Sequence, residues 1–119
     1  MQYVTNISDK PVEISLTRSA SKALASATTP VLVEMELYFS CLIRKRVLFP
    51  ALNDRSAALQ VADNLYVQFR PVMTRHCGLD PDGGPPPLAD FPIEDIRPFV
   101  PRWLRLDFRR GQWWGEFGY

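Results

Sequence analysis

Between Val31 and Phe49 apolar and mixed side chains alternate almost without a break. The odd positions read Val31, Val33, Met35, Leu37, Phe39, Cys41, Ile43, Lys45, Val47 and Phe49. The even positions read Leu32, Glu34, Glu36, Tyr38, Ser40, Leu42, Arg44, Arg46 and Leu48. Successive side chains on a strand point to opposite faces, so this pattern is a strand with one apolar and one partly polar side. At ~3.3 Å per residue such a strand would be about 60 Å long. A compact chain of this size has a radius of gyration near ~13.5 Å, hence a diameter of about 35 Å. The run must therefore bend or bulge, split in two, or overhang its sheet and pair with a partner. Lys45 breaks the apolar side and Ser40 to Leu42 is the midpoint, so a bulge or bend near either is expected.

The chain has 119 residues, enough for one domain with its own core. Its apolar fraction of 46% and charged fraction of 23% are those of an ordinary folded protein. Net charge is +1, with 14 Lys/Arg against 13 Asp/Glu distributed along the chain, which argues against a dedicated duplex nucleic-acid binder. No stretch approaches the ~20 apolar residues of a membrane helix. Met1 to Lys10 lacks a basic start and an apolar centre, so no secretory signal is visible. Two cysteines without a signal point to reduced thiols and a cytoplasmic setting.

Asp9-Lys10-Pro11 marks a break, and Val12, Ile14 and Leu16 then alternate as a short strand. The Ala/Ser-rich stretch 19–26 predicts a turn or two of helix carrying Ala20, Ala23 and Leu24, ended before Pro30. Asn53 or Asp54 is a helix cap ahead of Ala57, Ala58, Leu59, Val61 and Ala62, predicting a helix over 54–63. Leu65 to Thr74 alternates as a strand, with Pro71 marking an edge position or a bulge. Residues 78–102 hold Asp80-Pro81-Asp82-Gly83-Gly84, Pro85-Pro86-Pro87, Pro92, Pro98 and Pro101. They read as a stiff irregular connection whose first part, 78–87, is the better candidate for a mobile tip, and whose later apolar residues pack on the core.

At the C-terminus Trp103 to Arg109 and Gln112 to Tyr119 flank Arg110-Gly111, and a two-residue loop defines a register. Phe108 then faces Trp113, Leu106 faces Gly115, Leu104 faces Phe117, Asp107 faces Trp114, Arg105 faces Glu116, and Trp103 covers Gly118. The expected fold is mainly β leaning to α+β. It is an antiparallel sheet, sandwich or half-barrel, of about five to six strands with one or two short helices and this C-terminal hairpin.

No nucleotide fingerprint, G-x-S-x-G or H-E-x-x-H motif is present. Cys41, His76, Cys77 and Asp80 include the ligand types of a zinc or iron–sulfur site, although no C-x-x-C pair is present and adjacent His and Cys point apart on a regular strand. The ordinary role of Cys41 is a small buried hydrophobe. His76 is the one imidazole able to serve a thiol nucleophile. Ser15-Leu16-Thr17-Arg18-Ser19-Ala20 followed by a strand and Cys41 resembles the opening of A-type iron–sulfur carrier proteins. The glycines around the first cysteine and the C-terminal C-x-C of that family are missing.

Glu34 and Glu36 share one strand face and are expected as a solvated edge or as partners of arginines on a neighbouring strand, with acid–base chemistry as the alternative. Asp80-x-Asp82-Gly83 lacks the rest of a calcium loop and reads as a turn. Arg44, Arg46, Arg70, Trp103, Arg105, Trp114 and Tyr119 form an arginine–aromatic set suited to stacking bases and pairing phosphates on a sheet, or to cation–π pairs on an ordinary surface. Trp103, Trp114 and Tyr119 serve equally as protein contacts, or pack beneath the Pro-rich segment. With no catalytic constellation in view, the expectation is a small cytoplasmic protein-binding or assembly module without resident cofactor. It would act as a homodimer through a strand or sheet surface.

Overall fold

The computed structural model describes residues 1–39, 43–50, 58–74, 88–90 and 97–119. Its longest dimension is 45 Å, shorter than a straight strand from Val31 to Phe49 would need. The run splits. Val31–Phe39 (β3) and Ile43–Leu48 (β4) pair antiparallel with Phe39 opposite Ile43 and Glu34 opposite Leu48. The chain thus reverses direction where a bulge or bend was expected. Folding back keeps the same alternation and gives the backbone of β3 a hydrogen-bonded neighbour on that side.

Two layers result. The first sheet has the order β1-β2-β8-β9, from Gln2–Ile7 (β1), Lys10–Leu16 (β2), Trp103–Arg109 (β8) and Gln112–Gly118 (β9). The second has the order β4-β3-β6-β5, with Leu59–Ala62 (β5), Leu65–Thr74 (β6) and the short Leu88–Asp90 (β7) also paired to β6. The expectation of five to six antiparallel strands is corrected on two counts. Nine strands are described, and β2–β8 and β3–β6 run parallel. Parallel partners lie far apart in sequence, and strand alternation carries no information on direction.

The two-residue β1–β2 and β8–β9 hairpins close on left-handed backbone. Ser8 and Asp9 have φ of 49° and 67°, and Arg110 and Gly111 have φ of 50° and 78°. Such turns match the twist of the flanking strands. Every pair expected between β8 and β9 is formed, from Trp103 opposite Gly118 to Phe108 opposite Trp113.

The helix expected over 54–63 is corrected from Leu59 onward. Residues 51–57 lie outside the described residues, while Leu59–Ala62 is β5 and Ala62 pairs with Leu65 across an Asp63-Asn64 loop. Pairing with β6 overrides the helix propensity of Ala and Leu, and Asp-Asn supplies the turn. β6 matches its expected limits and is an interior strand. Pro71 pairs with Leu37 on the β3 side, and on the other side lies between the partners of β5 (65–67) and those of β7 (72–74). It occupies a window without a described neighbour, where a missing donor costs least. The connection 78–102 is not wholly irregular, since it contributes β7 and a single 3-10 turn at Arg97–Phe99. The segment 78–87 lies outside the described residues.

The core lies between the sheets. Val12, Ile14, Leu16, Leu104, Leu106 and Phe117 meet Val33, Met35, Leu65 and Val67 there, all buried. Arg18–Ser26 (α1) adds Ala20 and Leu24. Thr17 caps this helix, its Oγ accepting from the Ala20 amide at 3.2 Å and donating to Asp107 Oδ1 at 2.6 Å. One hydroxyl therefore ties the start of α1 to β8. Among the described residues, no helix is long and apolar enough to cross a membrane.

At the edge of the first sheet, β1 pairs with β2 and with no other described strand. Met1 and Leu16 exchange both backbone bonds, at 2.9 Å and 3.4 Å. Bonded pairs alternate along an antiparallel ladder, so Tyr3, Thr5 and Ile7 also bond inward. The N–H and C=O groups of Gln2, Val4 and Asn6 consequently point away from β2, to the side on which no described strand pairs with them.

Candidate functional site

Each sheet has an outer face, and the expected site residues divide between them. Arg44, Arg46 and Arg70 stand opposite Tyr38 and Glu36 on the outer face of the second sheet. Trp103, Arg105 and Trp114 lie on the outer face of the first, with Tyr119 just beyond β9. The arginine–aromatic set is therefore two separate patches on opposite sides of the sandwich. Within each patch cations sit over rings: Arg46 lies 5.5 Å from the Tyr38 ring centre, Arg105 5.9 Å from Trp103 and Arg109 4.5 Å from Trp114. Cys41, His76, Cys77 and Asp80, with the Asp80–Gly83 turn, lie outside the described residues. Among the described residues no group of three or more His, Cys, Asp or Glu could hold a metal.

On the second sheet Glu34 and Glu36 are buried, 5% and 2% exposed, which corrects the solvated-edge expectation. Their arginine partners are the neighbouring-strand ones expected. Arg46 Nε donates to Glu36 Oε1 at 2.6 Å, and Arg70 Nη1 lies 3.9 Å from Glu34 Oε1. Gln68 Nε2 also donates to Glu34 Oε1 at 2.6 Å. Burial is the main force raising the Glu34 pKa to about 7, reinforced by a hydrogen bond with Glu36 and by its charge, and opposed by Gln68 and Arg70. A neighbouring like charge disfavours the ionised form of Glu34. Glu34 is therefore the carboxyl that keeps its proton toward neutrality, without a described nucleophile beside it.

On the first sheet the outer face carries a trough. Its larger part, about 850 Å³, runs from Val4 and Pro11 across Glu13 to Trp103, Pro98 and Tyr119. A smaller part of about 340 Å³ continues over Gln2, Ser15 and Arg105, sharing Val4, Glu13 and Trp103. Cross-strand register makes the floor: Val4 faces Glu13, Glu13 faces Trp103, and Trp103 covers Gly118.

The far wall, residues 97–101, is anchored at several points. Phe99 packs edge-on against Phe39 at 5.7 Å, the Tyr119 hydroxyl donates to the Phe99 carbonyl, and the Val100 amide donates to Arg97 O at 3.3 Å. Val100 and Pro101 are buried, and the Arg102 amide reaches Gly118 O at 2.8 Å. The trough is thus a formed feature of the sheet. Sequence alternation placed Trp103 and Glu13 on strands, and the parallel β2–β8 pairing that sets them side by side left no local signal.

Compared with known proteins, the chain matches no family model, no curated protein and no solved structure.

Proposed function

We propose that this protein is a non-catalytic binding module that assembles as a homodimer through β1. The observation carrying this reading is the outer edge of that strand, along which no described strand pairs. Gln-Tyr-Val-Thr-Asn-Ile has no charge, proline or glycine. Exposed edges are normally blunted by such residues, as β4 is by Arg44, Lys45 and Arg46. Val4 is 66% exposed at the centre of β1.

The outward groups are also self-complementary. Placed antiparallel about a two-fold at Val4, Val4 meets its own copy and Gln2 meets Asn6 in both directions. Each of these pairs brings outward N–H and C=O groups together, the condition for a bonded pair. The isologous contact would join two four-stranded sheets into one. It involves six residues a side, fewer than the about 20–30 of a standard stable interface, so dissociation on dilution is expected.

Light scattering over a concentration series tests the reading. The wild-type mass should rise toward twice the monomer mass, and Asn6→Pro should remain monomeric. That substitution removes an outward donor and no bond to β2. Far-UV circular dichroism establishes that the variant is folded, and Val4→Lys, which sets like charges opposite each other, gives a second route to monomer. A wild-type chain that stays monomeric into the high micromolar range, or folded variants that dimerise equally well, would overturn the proposal.

A further inference from the structure

We infer that the trough on the outer face of the first sheet binds an extended acidic peptide segment of a partner protein. The inference supplies a partner chemistry to the binding reading and does not require the dimer. Three observations carry it. The walls and floor offer Trp103, Tyr119, Pro98 and Val4, flat or aliphatic surfaces that an extended chain covers without deep pockets. Among the described residues, Lys10 and Arg102 line the same space with one carboxylate side chain, Glu13, so the described lining carries an excess of cationic side chains although the chain is almost neutral. The wall at 97–101 is fixed by the Phe99, Tyr119 and Arg102 contacts described above, so little ordering is required on binding.

Glu13 decides between polypeptide and single-stranded nucleic acid. It is exposed in the middle of the floor, between Val4 and Trp103. A phosphodiester backbone carries no donor and is repelled there, whereas a peptide presents N–H groups to the carboxylate and acidic side chains to the flanking cations. Proline in the ligand would keep it extended and stack on Trp103, the mode by which aromatic-lined grooves take proline-rich segments.

The experiment is a fluorescence titration of the folded protein with a synthetic peptide of alternating glutamate and proline. A lysine–proline peptide and oligo-dT of matched length serve as comparisons. The acidic peptide should give a saturable change in tryptophan emission that weakens with salt. Lys10→Glu with Arg102→Glu should reduce affinity at least about tenfold, roughly the loss of one to two charged contacts. Arg44→Glu with Lys45→Glu, on β4, should leave it unchanged. Asn6→Pro should retain binding even where light scattering shows monomer, so failure of the assembly reading and failure of this one are separable. No response to the acidic peptide at low salt, equal response to oligo-dT, or equal loss from the β4 reversal would overturn the inference.

Discussion

At Glu34, a carboxyl group whose pKa lies near neutrality makes stability depend on pH in a defined direction. Its folded value, about 7, lies above the ordinary 4.5, so between these values the folded state holds more protons than the unfolded. Stability from this group is fully present below about 4.5, falls as pH rises through 7, and levels off above. Urea denaturation at pH 5 and pH 8 should show wild type weaker at pH 8. Glu34→Gln should lose most of that difference and gain up to roughly 3 kcal/mol at pH 8. A pH dependence unchanged in the variant would contradict the assignment.

Asp107 behaves oppositely. Hydrogen bonds from Thr17 first, then Arg109, hold its carboxyl below the usual range, so its contribution is present at neutral pH and lost as pH falls through that lowered value. Thr17→Val removes both the cap and this bond, and should cost about 1–2 kcal/mol in the same measurement. The residue-level site was only half legible. Alternation put Glu34 and Glu36 on one face and pointed to arginine partners. It could not show that the outer face of the sheet is closed to solvent there, because covering depends on the rest of the fold.

Among the elements, legibility followed the distance over which pairing is decided. β8 and β9 were readable pair by pair, because a two-residue turn fixes register locally and six side-chain pairs agree with it. Gly118 shows how closely that agreement is built: a Cβ there would lie 2.5 Å from Trp103 Cζ2. Gly118→Ala should therefore displace Trp103, with a changed emission spectrum and a lowered melting temperature. An unchanged spectrum would mean the ring does not rest on the glycine. Gly111→Ala meets no neighbour but forces alanine to φ +78°, and should cost about 1–2 kcal/mol.

β1 and β5 went unread for different reasons. β1 is a short edge with an apolar residue, Val4, on its outward side, and its turn uses Ser8-Asp9 in place of the usual Asn-Gly. β5 carries a helix-forming composition that only its long partner β6 overrules. The run from Val31 to Phe49 was correctly too long to stand alone, yet alternation cannot distinguish a bend from a reversal.

The whole molecule is a two-layer sandwich with unlike outer faces. One holds buried carboxylates tied to arginines, the other a trough beside an edge strand, β1, with no second partner among the described strands. Dimerisation through β1 would set two troughs side by side on one continuous sheet, since Val4 belongs to both edge and trough. The parallel pairings are not encoded locally, which is why the sequence could not show that Glu13 and Trp103 lie side by side.

The most direct test is a position-specific cross-link. In the proposed register the two copies of residue 4 are a bonded antiparallel pair, with Cα atoms about 5.5 Å apart, within disulfide reach. Mild oxidation of Val4→Cys, with peptide mapping to separate this link from any at Cys41 or Cys77, should yield a covalent dimer joined at position 4. Gln112→Cys, on the edge strand β9, should not link to its own copy. Absence of the position-4 link, or equal linking at position 112, would contradict assembly through β1.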